Sequence, residues 1–267
     1  MEIITSTANP KIKNIKRLDK ASERKEQGLF IAEGLREVVL AARAGYEIES
    51  LFICEELLQP SADYPLQECH VAHFEYAISK SVYESVAYRD STEGIIATIK
   101  IRQKSLTELQ LPTPSLILVI EGVEKPGNLG AMLRTADAAG AHAVVVCDPR
   151  CDIYNPNVIR SSIGTVFTNT VVVCESTEAI AWMKQQKIKT FAAELSAKKF
   201  HYEQNYLQAT AFAMGTESKG LSSEWMNAAE ERIKIPMLGQ IDSMNVSVSA
   251  GILLYEAVRQ RKTEIPQ

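Results

Sequence analysis

The sequence has no CxxC pair, no histidines at metal-ligand spacing, no G-x-G-x-x-G run and no apolar stretch near the ~18 residues that a membrane helix needs. Each absence removes a class of function. The five cysteines (Cys54, Cys69, Cys147, Cys151, Cys174) are odd in number and scattered, which argues against a disulfide framework and for reduced thiols. Cys147 and Cys151 lie four apart, but Cys147 ends an apolar strand-like run and reads as core packing, so no metal is expected. Without a dinucleotide fingerprint, a nicotinamide-dependent oxidoreductase loses its main support. With neither an apolar leader nor a span, a cytoplasmic protein is expected. No internal repeat or low-complexity tract is present.

What the chain does have is length and apolar content. Its 267 residues, 46% hydrophobic, can build one large or two modest domains without staples. A net charge of −4 excludes a surface coated in basic patches for indiscriminate nucleic-acid binding. Positive charge is instead local. Between Asn9 and Lys25 stand seven basic residues (Lys11, Lys13, Lys16, Arg17, Lys20, Arg24, Lys25) against two acidic ones (Asp19, Glu23). With Ile12, Ile15 and Leu18 at helical spacing, the segment taken alone reads first as an amphipathic helix with a solvated face.

Pattern divides the chain. Glu33 to Gly45 has helical spacing, Ile48 to Ile53 reads as a strand, Val71 to Phe74 and Gly94 to Ile101 as further strands, and Ser79 opens a helix between them. A compact α/β domain over 1–102 fits. From Gln103 to Ser115 periodicity fades and Pro112 and Pro114 appear, so 103–115 reads as a linker. Over 116–267 the apolar runs Leu116–Ile120, Ala143–Cys147, Val166–Val173, Thr190–Ala193, Ala211–Met214 and Ile233–Ile235 alternate with helical spacing, as βα units around a parallel sheet require. Val246 to Arg261 is predicted as a last, largely apolar helix for the core or a dimer interface.

In such sheets ligands bind beyond the carboxyl ends of the strands, which draws attention to three loops. After Leu116–Ile120, Gly127 and Gly130 let backbone approach a ligand, Asn128 can cap the next helix and Arg134 follows for gripping phosphate. Read structurally, the same residues are a glycine turn, a cap and a surface arginine. After Ala211–Met214, Gly215 to Leu221 holds two glycines five apart without the Walker lysine, and Glu217 lies between them. After Ile233–Ile235 come Ser243 and Asn245, which are also ordinary capping residues. Coincidence of the three loops is the stronger argument.

Together these segments resemble the SpoU family of the SPOUT methyltransferases. The first family motif is similar to Glu124 through Gly140, with Asn128, Gly130, Arg134, Thr135 and Ala136 in register; the second to Gly215, Glu217, Gly220 and Leu221; the third to Ile235-Pro236-Met237 followed by Ser243 through Val248. Asn9 to Lys13 and Gly28 to Gly34 resemble the substrate-binding extension of ribosomal-RNA members. The family often has Asp at the position of Lys125, Leu at Met244 and Ala at Ser249. The Met244 exchange preserves an apolar wall, whereas Lys125 changes the local field or an RNA contact.

The resemblance implies an α/β fold: a carboxy-terminal parallel-sheet SPOUT domain with a deep trefoil knot, plus a smaller amino-terminal α/β domain akin to RNA-binding ribosomal proteins. Chain-connection rules alone argue against a knot. It also implies a homodimer with active sites at the interface, S-adenosylmethionine as cofactor, RNA as partner, and no membrane or metal. By the same resemblance the bent cofactor sits among Leu195, Gly215, Ile235 and Met244. Arg134 activates the ribose hydroxyl while Asn128, Glu217, Ser243 and Asn245 organise the site. Because a guanidinium hardly deprotonates, Arg134 is expected to hold phosphate and polarise the hydroxyl. Lys11, Lys13, Lys16 and Arg17 are expected to meet RNA phosphates. The expected activity is methylation of a ribose 2′-hydroxyl, in 23S-type ribosomal RNA by analogy with members carrying the extra domain. The alternatives are a transfer-RNA 2′-O-methyltransferase, a base methyltransferase, and a non-catalytic RNA-binding or ribosome-assembly protein. The intact Asn128, Arg134, Glu217 and Asn245 set disfavours the last.

Overall fold

The computed structural model describes residues 2–59, 61–88 and 93–261. The chain divides into two units, one running up to Arg102 and taking in Asp152–Thr168, the other comprising Gln103–Cys151 and the chain from Asn169 onward.

The first unit begins with β1 (Glu2–Ile4), α1 (Pro10–Arg17), α2 (Ala21–Gln27), β2 (Leu29–Glu33), α3 (Leu35–Arg43), β3 (Ile48–Ile53), β4 (Phe74–Ile78), α4 (Lys80–Val86) and β5 (Ile95–Lys100). Asn9 starts α1 by accepting a hydrogen bond from the Lys11 backbone N–H at 2.8 Å, with Pro10 at the first helical position. Gly28 ends α2 at φ +64°, a left-handed conformation that favours glycine. The sheet is mixed, in the order β1-β4-β3-β5-β2, with β5 antiparallel to both β3 and β2. Ile12, Ile15 and Leu18 are buried with Phe52, Tyr76 and Tyr83 on one face of it. The strand expected at Val71–Phe74 lies further on, at Phe74–Ile78, after a short 3-10 turn at Leu66–Cys69, and Val71 is exposed.

The second unit carries β6 (Leu116–Glu121), α5 (Pro126–Ala138) and β7 (Ala143–Cys147). The chain then adds α6 (Pro156–Ser161) and α7 (Thr165–Thr168) to the first unit. It continues in the second with β8 (Val171–Cys174), α8 (Ser176–Gln185), β9 (Lys189–Ala193), β10 (Lys199–Phe200), β11 (Thr210–Met214), α9 (Ser223–Ala228), β12 (Glu231–Lys234) and α10 (Val246–Arg261). The run Val166–Val173, expected as one strand, is therefore split: Val166 and Phe167 are helical and buried, and only Val171 onward joins the sheet. A short apolar run does not by periodicity distinguish strand from helix. The stretch expected as a linker also differs: Leu106, Leu109 and Leu111 pack on the core of the second unit.

All seven strands of this sheet are parallel, in the order β10-β12-β9-β11-β6-β7-β8. Every residue of β6, β7 and β11 is buried, as a sheet covered on both faces requires. Because the strands are parallel, their carboxyl ends form one edge, and the loops after the adjacent strands β12, β9, β11 and β6 emerge side by side. Helix α10 buries Ala250, Leu253, Leu254 and Ala257. Its end is tied down by Arg261, whose guanidinium donates to the carbonyls of Tyr206 at 2.7 Å, Ser115 at 2.9 Å and Gln208 at 2.6 Å.

Candidate active site

The loop after β6 turns into α5 with Pro126 at the first helical turn. Lys125 occupies the capping position without a side-chain cap, and Asn128 lies inside the first turn. Asn128 therefore does not cap the helix. Its amide is used across the strand edge: Nδ2 donates to Oε1 of Glu217 at 2.5 Å, and Oδ1 accepts from Nδ2 of Asn245 at 3.2 Å. Asn245 Nδ2 also lies 3.4 Å from Glu217 Oε1, while its Oδ1 accepts from the backbone N–H and hydroxyl of Ser247 at 2.9 and 2.6 Å. Asn245 thus starts α10 and joins the network at once. Lys125 donates to the second oxygen of Glu217. That hydrogen bond holds the Glu217 carboxyl below the usual carboxylate range; partial burial opposes it and the Asn128 hydrogen bond adds to it.

The Glu217 loop is folded tightly on itself. Thr216 and Gly220 exchange backbone hydrogen bonds at 3.1 and 2.9 Å. A Cβ on Gly215 would lie 2.1 Å from the Gly220 carbonyl carbon, so only glycine fits there. The far end of the loop is anchored by Glu121, the last residue of β6, whose buried carboxylate accepts from the Ser222 backbone N–H at 2.7 Å and the Ser176 hydroxyl at 3.2 Å. Trp225 Nε1 in turn donates to the Ser176 hydroxyl at 2.9 Å. Neither Glu121 nor the pairing of Lys125 was singled out from sequence. The only signal for Glu121 was a carboxylate closing a fully apolar run.

A cleft of about 100 Å³ opens between these loops, lined by Ile120, Val123, Met132 and Val246 together with Asn128 and Glu217. Gly215 also lines it; Leu195, Ile235 and Met244 do not. Leu195 stands 61% exposed after β9, and Leu238 and Ile241 are 95% and 67% exposed after β12. The Ser243 hydroxyl donates to Asp242 at 3.2 Å rather than into the Glu217 network. Arg134 is exposed on α5 and has no hydrogen-bond or ion-pair partner among the described residues.

In the first unit the basic arm separates into two kinds of residue. Lys13 and Lys16 are exposed and have no ion-pair partner among the described residues, whereas Lys11 pairs with Glu2 at 3.3 Å and Arg17 with Glu23 at 2.7 Å. Arg24 is buried and structural, donating to Asp152 at 2.6 Å and to the carbonyls of Leu18 and Asp19 at 2.8 and 2.9 Å.

Comparison with known proteins agrees with this layout. Residues 9–97 match the MRM3-like substrate binding domain. The 23S rRNA (guanosine(2553)-2′-O)-methyltransferase RlmP of Bacillus subtilis is 29% identical over 255 residues, covering 96% of this chain and 98% of that protein. A crystal structure of an RNA 2′-O ribose methyltransferase superposes with a TM-score of 0.84 at 42% identity, covering 97% of this chain and 99% of the other. The AdoMet-bound rRNA methyltransferase of Sinorhizobium meliloti gives 0.89 at 26% identity, covering 98% and 99%. Residues 115–255, which contain β6, the Glu217 loop and the start of α10, match the SpoU rRNA Methylase family, and the chain belongs to that family.

Proposed function

We propose that this chain transfers the methyl group of S-adenosylmethionine to a ribose 2′-hydroxyl of 23S ribosomal RNA. The observation that carries the reading is the hydrogen-bonded meeting of Asn128, Glu217 and Asn245, which come from the three motif loops beyond the carboxyl ends of β6, β11 and β12.

The cleft combines apolar walls with the polar Asn128 and Glu217, which suits a ligand that carries both apolar and polar groups. Gly215, Leu195, Ile235 and Met244 are the residues assigned to hold it. When bound, S-adenosylmethionine supplies an electrophilic methyl carbon on a sulfonium. The protein's work is then positioning. Arg134, whose five donors have no partner among the described residues, grips an RNA phosphate and polarises the hydroxyl. Glu217, held below the usual carboxylate range, is a weak base, and a guanidinium takes up no proton. Both therefore act through charge and orientation, with Ser243 completing the site.

Lys11, Lys13, Lys16 and Arg17 meet RNA phosphates from the amino-terminal unit. Two further readings go with the activity. Val248 and Tyr255, 52% and 50% exposed on one face of α10, support a homodimer through that helix. The return of α10 from β12 to pack on α5, β6 and β11 supports a trefoil-knotted path. Work on ribosomal RNA calls for a cytoplasmic protein. Among the described residues no helix is long and apolar enough to cross a membrane.

The test is transfer of tritiated methyl from S-adenosylmethionine to 23S ribosomal RNA and to transfer RNA, followed by nuclease digestion and mass spectrometry. A 2′-O-methyl nucleoside from the ribosomal RNA is expected. A methylated base, or RNA binding with no transfer, would overturn the proposal, and transfer RNA as the better acceptor would change its substrate.

A further inference from the structure

The two oxygens of the Glu217 carboxylate serve different neighbours. Oε1 faces the amides of Asn128 at 2.5 Å and Asn245 at 3.4 Å; Oε2 accepts the Lys125 ammonium. The amide network has one consistent orientation. Asn128 must turn Nδ2 to Glu217 so that Oδ1 can receive Asn245, and Asn245 must turn Oδ1 to Ser247. Everything therefore depends on an ionised carboxylate at a fixed angle. Glu217, however, sits on a loop with 31% of its side chain exposed, where a carboxylate otherwise rotates freely.

Lys125 supplies the missing constraint. It reaches Glu217 from the start of α5, beside Asn128, so two of the three partners of the carboxylate stand on one helix turn. Its other charged neighbour, Glu124, is engaged by Arg150 at 2.5 Å. The Lys125 side chain is 70% exposed, and exposed ion pairs add little to folding stability. A contact of this kind matters for orientation rather than for folding.

We propose that Lys125 is a positioning residue of this site: by holding Oε2 of Glu217 it leaves Oε1 to align the side-chain amides of Asn128 and Asn245. The inference rests on reading the site as the methyl-transfer centre. The rival role, a direct contact from Lys125 to an RNA phosphate, would leave the carboxylate unaffected.

The experiment compares the full-length protein with Lys125→Met and Lys125→Arg. Single-turnover methylation at saturating RNA is read beside the RNA KM and the Glu217 titration by 13C NMR, assigned with Glu217→Gln. K125M should slow turnover about tenfold with little change in KM. Its Glu217 midpoint should rise, because the hydrogen bond that lowers it is gone. K125R should restore most of both. An unchanged Glu217 midpoint in K125M overturns the proposal. So does an effect confined to KM and its salt dependence, which makes Lys125 a phosphate contact. Failure of the wild type to methylate RNA would remove the functional reading, while the Glu217 titration would still decide whether Lys125 holds the carboxylate.

Discussion

Tyr154 stacks face to face on Phe30, with ring centroids 4.3 Å apart and planes 15° from parallel. Phe167 stacks on the same Phe30 ring at 5.7 Å, and the Tyr154 hydroxyl donates to the Arg102 carbonyl at 2.5 Å. The segment between β7 and β8 is therefore core material of the amino-terminal unit, although the motifs on either side of it belong to the sheet. A fragment consisting of 103–267 would keep Tyr154 and Phe167 but lack the Phe30 ring on which they stack. It should aggregate or melt well below the whole protein, and replacing 152–168 with a short Gly/Ser linker in that fragment should restore a monodisperse species. Size-exclusion chromatography and thermal melts check this. A well-behaved unmodified fragment would show that the segment stands without the first unit.

Glu121 offers a stability test within the second unit. Its carboxylate accepts from the Ser222 N–H and the Ser176 hydroxyl at the buried root of the Glu217 loop. Glu121→Leu strands both donors, which should cost about 2–6 kcal/mol, since each buried unsatisfied group costs about 1–3 kcal/mol. Glu121→Gln keeps an acceptor oxygen and should lose less. Urea denaturation of the two variants measures the difference. Equal midpoints for E121L and wild type would mean that water or neighbouring groups replace the carboxylate.

Some of this architecture was legible in the sequence because local pattern and tertiary context agree. Ile48–Ile53, Ala143–Cys147 and Val246–Arg261 have the bounds expected from their apolar runs and flanking turns. Val166 and Phe167 defeated the same reasoning, because their burial is in the first unit rather than in the sheet. Arg24 looked like one more cation of a basic arm. Only the fold brings Asp152 to it. At the site, Asn128, Glu217 and Asn245 were named from strand-end loops, but their hydrogen bonds span long stretches of chain that periodicity does not relate. The ion pair of Lys125 with Glu217 has the same origin.

The basic arm makes a quantitative prediction about salt. Lys13 and Lys16 project into solvent without ionic partners among the described residues, whereas Arg24 is an internal tie. Replacing Lys13 and Lys16 with Ala should weaken RNA binding and reduce the slope of log K against log salt by roughly 0.7–0.9 for each phosphate that is no longer neutralised. The fold should be unaffected. Arg24→Ala should instead lower the unfolding midpoint, because it leaves the Asp152 carboxylate and two carbonyls without their donor. Filter binding across a salt series, with a melting curve for each variant, separates the two effects. An unchanged slope in the double variant would make the arm a solvated helix face.

Arg134 separates chemistry from scaffold most cleanly, since nothing in the folded chain engages its guanidinium among the described residues. Removing an exposed, unpaired side chain should change stability by no more than ~0.5 kcal/mol. Cofactor affinity should also hold, because the cleft walls are Ile120, Val123, Met132 and Val246 and do not include Arg134. What Arg134→Ala should remove is an interaction made most strongly as the hydroxyl attacks. A loss of ~3 kcal/mol there lowers kcat by roughly two orders of magnitude. Arg134→Lys keeps the charge but not the planar fork that grips a phosphate with two parallel hydrogen bonds, so it should be nearly as impaired. Calorimetric cofactor titration beside single-turnover methylation of the three proteins decides the matter. Near-normal turnover in R134A would take Arg134 out of the chemistry, whereas abolished cofactor binding or a changed oligomeric state would assign it to the scaffold.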